Sequence, residues 1–163
     1  MKEIVLYPDS TLRAKSNLVM DFGSALDRVV EEMTYATRIL AHNGIGLAAV
    51  QVREPLRLGI LDLNYKSKKP GKPVVMCNPI ILSRGMAVVG DEGCLSFPGK
   101  FIKVKRSLAI QVQYQDQEGR TRKQFFKDMW ARCVLHEMDH MDGILFIDHE
   151  IKKEENHEPQ TRD

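Results

Sequence analysis

The 163 residues are 43% hydrophobic and 28% charged, the balance of an ordinary soluble globular chain of one domain. A formal net charge of +2 is too small to call for nucleic acid or an acidic partner, and no apolar run reaches the ~18 residues of a membrane span. The three cysteines, Cys77, Cys94 and Cys133, are too scattered to be a disulfide framework, and the first residues lack a signal-peptide core, so a reducing, cytoplasmic location is expected.

Residues 1–22 alternate short apolar pieces with turn formers and are expected to form an irregular arm. A helix should follow, capped by Ser24 with Asp27 in support. Leu26, Val29, Val30, Met33, Ile39 and Leu40 lie at helical spacing, and Asn43-Gly44 is its stop. Residues 44–51 read Gly-Ile-Gly-Leu-Ala-Ala-Val-Gln. Either this is a buried strand whose glycines relieve crowding, or a backbone that a ligand approaches, with Gln51 its polar side chain. Leu56–Leu63 and Pro73–Leu82 read as strands flanking a lysine-rich loop at 64–72, with Pro79 marking an edge or bulge. Met86–Val89 is a short strand running into a glycine- and proline-punctuated loop over 90–99, and Phe101–Lys105 could extend it. Leu108, Ile110, Val112 and Tyr114 alternate, Asp116–Gly119 turns the chain, and Arg120–Phe126 returns as a hairpin partner. A second helix spans about Lys127–Met141 and stops at Gly143, Ile144–Ile147 is a short apolar segment, and a polar tail occupies 149–163. The fold class is therefore α+β, antiparallel strands around the second, central helix plus one long N-terminal helix, in a single domain over 1–148.

That second helix carries the chemistry. His136 and His140 are one turn apart on one face, a spacing that grips a divalent cation, and Glu137 beside them is a proton acceptor. A third ligand decides what kind of site this is. Cys133 lies about 7.5 Å along the helix axis from the midpoint of the two histidines, too far for comfortable ligation, and reads as packing. A metzincin protease would carry another histidine where Phe146 stands, and a thermolysin-like one a downstream glutamate, here available only in the charged tail. Cys94, set among glycines, is the remaining candidate, and would leave one position of a tetrahedral site open.

Three stretches in order, residues 44–51, Glu92-Gly93-Cys94-Leu95-Ser96, and His136-Glu137-Met138-Asp139-His140 with Gly143, together resemble peptide deformylase. Tyr7-Pro8-Asp9 with Leu12-Arg13 is similar to that family's opening. The resemblance implies that Cys94, His136 and His140 hold one divalent metal, with Glu137 as the base. The metal would be iron(II) in the cell, with zinc, nickel or cobalt in purified protein. It implies an oxyanion site from the Gln51 amide and the Leu95 N–H and an Arg106–Glu92 pair holding the cysteine loop; Gly44, Ile45, Gly46, Glu92, Met129 and Cys133 are the substrate-binding candidates, with Met129, Cys133 and His136 plus Gly44 or Ile45 nominated for the methionine pocket. The implied reaction removes the formyl group from N-formyl-methionyl peptides and nascent chains, releasing formate. A monomer with no membrane and no nucleic-acid partner is expected. Two departures stand out. Leu135 occupies a place where the family usually has glutamine, and Met141 one where it usually has leucine. The tail is also too short for the long C-terminal helix to which ribosome docking is attributed in many members. The competing readings are a peptidase of the His-Glu-x-x-His type and a non-catalytic, metal-stabilised peptide binder.

Overall fold

The computed structural model describes residues 3–41, 44–64 and 71–151. Its plan is mixed α+β. A five-stranded antiparallel sheet carries β1 (Gly46–Ala48), β2 (Leu58–Leu61), β3 (Val74–Arg84), β6 (Ala109–Gln115) and β7 (Thr121–Lys127) in the order β1-β2-β3-β6-β7. A separate antiparallel pair joins β4 (Ala87–Cys94) to β5 (Phe97–Ser107). The helices are α1 (Ser24–Tyr35) and α2 (Asp128–Met141).

The sheet is covered on both faces. Successive strand residues point to opposite sides. Leu58 and Ile60 of β2 pack with Leu26, Val30 and Met33 of α1, while Leu61 and Met76 pack with Val134, Leu135 and Met138 of α2. Leu135 is thus part of the apolar core, where a glutamine would need a buried polar partner. Gly59 makes the approach of α2 possible, because a Cβ there would lie 2.9 Å from Met141 Cε. The other flank of α2 meets the β4–β5 pair. There Phe97, Ile102 and Val104 form a third cluster with Leu12, Leu145 and Phe146.

Several sequence expectations need correction. The arm contains a 3₁₀ turn at Ser10–Arg13, capped by the Asp9 side chain, after a cis Tyr7–Pro8 bond. Gly23, not Ser24, caps α1 without a side-chain bond, and Asp27 instead accepts from Gln117 Nε2 at 2.5 Å. α1 then continues as a π-helical turn, Ala36–Leu40, closed by the Ala41 N–H on the Ala36 carbonyl. Asn43, its expected stop, lies outside the described residues, as do 65–70 of the lysine-rich loop. Pro79 sits at a register shift between Cys77 and Ile80, just past the last residue paired with β2, so of the two expectations the bulge is the one seen. The largest error is the loop over 90–99. It is mostly strand, with β4 running to Cys94 and β5 starting at Phe97. Its glycines serve close approach, since the Phe101 ring lies over Gly93 and the Arg132 guanidinium over Gly90. At the far end α2 stops as expected, with Gly143 at φ 72°. His149, Glu150 and Ile151, taken as the start of the tail, are seated on the domain, while 152–163 lie outside the described residues.

Candidate metal centre

Two elements distant in sequence build the site. α2 supplies His136 and His140, whose rings stand 4.9 Å apart at 74°. The end of β4 supplies Cys94, whose Sγ lies 3.2 Å from His140 Nε2. One ligand atom from each of the three falls within 4.8 Å of the others. This thiolate-and-two-imidazole set fits a divalent transition metal and leaves a coordination position for a reactant. Burial holds His140 well below the ordinary histidine pKa, which keeps its ring neutral and able to ligate.

His136 is oriented through its other nitrogen. Its Nδ1 lies 2.6 Å from Glu92 Oε1. Glu92 is buried and also accepts from Arg106 Nη2 at 2.8 Å, Arg106 Nε at 3.1 Å and Arg132 Nη1 at 3.0 Å. Burial works to raise the Glu92 pKa, but the hydrogen bonds from His136 and Arg106 outweigh it, so the carboxylate stays ionised. Burial likewise disfavours charge on His136, yet Cys94, Glu92 and Glu137 together raise its proton affinity above that of a free histidine. The same convergence of negative groups favours a cation.

Glu137 follows His136 on α2 and is buried, its Oε2 without a hydrogen-bond partner among the described residues. Burial pushes its carboxyl up to about 7. Its Oε1 lies 3.9 Å from Cys133 Sγ. Cys133 is thus buried packing, as its spacing suggested, and also a neighbour of this carboxylate. Gly46 faces the pair, and a Cβ on it would stand 2.5 Å from Glu137 Oε1 and 2.6 Å from Cys133 Sγ. The glycine is there because nothing larger fits.

Gln51 is buried on the 3₁₀ turn Ala49–Val52. Its Oε1 accepts from the Ala48 N–H at 2.9 Å, which turns Nε2 towards Ser96 Oγ (3.1 Å) and Cys94 Sγ (3.6 Å). Leu95 forms the turn between β4 and β5 beside it. A cavity of about 1080 Å³ opens onto these groups, and Gly44, Ile45, Gly46, Glu92, Met129 and Cys133 all line it along with Gln51, Leu95, His136 and Glu137. The sequence candidates therefore converge on one place, with Arg106 just behind. Sequence reasoning missed Arg132 and Ser96, and also Asp139, which pairs with Arg106 Nη1, and His149, whose Nε2 lies 2.8 Å from Asp139 Oδ2. Arg132 was findable, being one helical turn before His136 on the same face; the other three depend on chain crossings that local pattern does not encode.

The family model described as polypeptide deformylase matches residues 1–156. The peptide deformylase of Mesorhizobium japonicum is 39% identical over 150 residues, covering 91% of this chain and 84% of that one. That of Hydrogenovibrio crunogenus is 39% identical over 147 residues, covering 90% and 84%. Among solved structures, the peptide deformylase from Thermotoga maritima superposes with a TM-score of 0.83 at 33% identity, over 93% of this chain and 99% of that one. The enzyme from Legionella pneumophila gives 0.85 at 32%, over 93% and 86%. With fold, donor set and whole-length similarity in agreement, the chain belongs to the polypeptide deformylase family, the metal-dependent hydrolases that remove the N-formyl group from newly made peptides.

Proposed function

We propose that residues 1–148 form one catalytic domain that hydrolyses the formamide of N-formyl-methionyl peptides and nascent chains, followed by a polar tail over 149–163 whose first three residues pack on the domain. In this reading Cys94, His136 and His140 hold a single divalent cation on α2 as the central metal-binding helix. The ion is iron(II) in the cell, with zinc, nickel or cobalt substituting in purified protein. When bound, the cation supplies a Lewis acid that draws the pKa of water towards neutrality and polarises the formyl oxygen.

The chain's own residues do the rest. Glu137, buried and poised near neutrality, takes the proton of the attacking water on its unpartnered Oε2 and returns it to the departing amine. Gln51 Nε2, its amide already turned by the Ala48 bond, and the Leu95 N–H donate to the oxygen that gains charge. Glu92, fixed by Arg106, keeps the His136 ring in one orientation. Gly46 leaves room for the peptide backbone, and Gly44, Ile45, Met129 and Cys133 receive the methionine side chain, with Glu92 alongside. The protein works as a monomer in the cytoplasm. No described helix is long and apolar enough to cross a membrane.

The observation that carries the assignment of roles is the buried Glu137 carboxylate one residue from a ligand, its Oε2 without a partner among the described residues, facing a cavity far larger than a formyl group. The deciding assay is formate release from a formyl-Met-Ala-Ser peptide by protein loaded anaerobically with iron(II), beside Glu137→Gln. Formate from the first and not from the second is expected. Equal release by both would remove Glu137 from the role, and none from either would overturn the activity.

A further inference from the structure

Hydrogen bonds continue outward from the metal centre past Arg106. Its Nε and Nη2 are spent on Glu92, and its Nη1 reaches Asp139. Asp139 stands on α2 between the two histidines, and its Oδ2 also lies 2.8 Å from His149 Nε2. An unbroken chain of polar contacts therefore runs His149–Asp139–Arg106–Glu92–His136. We infer that His149 is a positioning residue for the metal centre, acting through Asp139 and Arg106 on Glu92 and so on the orientation of the His136 ring. This rests on the proposed reading that Cys94, His136 and His140 hold the metal.

The geometry around His149 gives the relay a fixed origin. The 3₁₀ turn Phe146–His149 is anchored by contacts that do not involve Asp139. Leu145 and Phe146 are buried against the cluster around Phe97. Asp148 pairs with Arg13 and also accepts the Leu145 N–H at 2.9 Å. Glu150 forms a bridge to Val104, and the Ile151 N–H reaches the Lys103 carbonyl at 3.3 Å. The backbone thus presents the imidazole at a set place without help from the imidazole itself, so no further backbone ordering is needed and only the rotamer freedom of the ring is lost when it donates. Asp139, by contrast, is a partly exposed carboxylate whose position depends on its two donors. With only Arg106 left it could rotate towards water, and Arg106 would gain a second arrangement in which its grip on Glu92 slackens. Because Lys103 and Val104 lie on the same strand as Arg106, the terminal segment braces both the His149 end of the relay and the strand that carries its middle residue.

Three variants of the full chain separate this role from simple packing. His149→Leu removes the donor, His149→Gln retains an amide donor of similar reach, and Arg13→Ala removes one anchor of the segment while the buried Leu145 and Phe146 and the contacts to Val104 and Lys103 keep His149 in place. Zinc(II) affinity is read by competition with a chromophoric chelator, and the ligand field by the absorption of the cobalt(II) form. Values of kcat and KM come from a formyl-Met peptide. For His149→Leu the expectation is roughly 10-fold weaker zinc binding, the low end for a partner outside the ligand set. Its cobalt spectrum should shift and kcat fall while KM holds. His149→Gln should recover most of each loss, and Arg13→Ala should lower the melting temperature with the zinc affinity and spectrum of the parent. Parental zinc affinity and spectrum in His149→Leu would overturn the inference, and so would an equal loss in Arg13→Ala. If His149→Leu does not fold, His149→Ser, too short to reach Asp139, takes its place under the same criteria. A parent that binds zinc but releases no formate would refute the deformylase reading and leave the zinc comparison to decide on His149. A parent that binds neither metal would overturn both.

Discussion

Replacing Glu92 by alanine removes the junction between the cysteine strand and the histidine helix. Its carboxylate accepts from Arg106 Nε and Nη2, Arg132 Nη1 and His136 Nδ1 at 2.6 to 3.1 Å, all in a buried setting. Removing one side of such an ion pair costs about 3–5 kcal/mol because the remaining charge is left buried. Here the two arginines keep other partners: Arg106 retains Asp139, and Arg132 retains the Val104 and Val88 carbonyls. The loss should therefore fall at the lower end, about 3 kcal/mol. At ~2–4 °C per kcal/mol for a chain of this size, the apo protein should melt roughly 6–12 °C lower. Freed at Nδ1, His136 can also rotate, and metal affinity should drop about 10–100-fold. Glu92→Gln, which keeps an acceptor for His136 but not the charge, should lie between the parent and Glu92→Ala in both measurements. Thermal unfolding of the apo protein and chelator competition supply the two numbers. A Glu92→Ala protein with parental melting temperature and parental metal affinity would refute the reasoning.

Glu137→Gln should fold and retain metal yet lose formate release by about 10²–10⁴-fold, read in a coupled formate assay. Gly46→Ala should cut kcat at least tenfold, because its Cβ would displace the Glu137 carboxylate; a variant with parental kcat would mean that the strand shifts freely. Asp9 is held down to about 2 by hydrogen bonds from the Thr11 side chain and N–H and from Arg53. Because its folded pKa lies below the unfolded value, it adds stability above about pH 4 that disappears as the pH falls towards 2. Denaturant unfolding of Asp9→Asn against the parent should show a gap at pH 6 that narrows as the pH falls from about 4 through 2, and a gap independent of pH would exclude the effect. Stripping the metal with a chelator should abolish formate release, and adding back a divalent ion should restore it.

What the sequence by itself determined is local. Helical spacing places His136 and His140 on one face and Glu137 next to them whatever the rest of the chain does, and Gly143 stops the helix in a backbone conformation that glycine favours. Alternation in Leu108–Tyr114 identified the β6–β7 hairpin for the same reason. Reading Cys94 as the third ligand needed elimination and then resemblance, because a cysteine more than forty residues upstream carries no periodic link to a helix. Its surroundings were misjudged as a loop: glycines that mark turns in a local reading here make room for Phe101 and Arg132 arriving from elsewhere. Tertiary structure alone decided the pairings across the chain. Gln51 meets Ser96, Glu92 meets His136, Asp139 collects Arg106 and His149, and Leu135 turns into the core. Those contacts follow from how the sheet, α2 and the β4–β5 pair stack, and stacking is set by the burial of the whole set of apolar faces at once. No stretch of sequence contains that information alone. The helix contributes two histidines and a carboxylate, and folding brings them the cysteine, the amide and the buried charges that hold them in register.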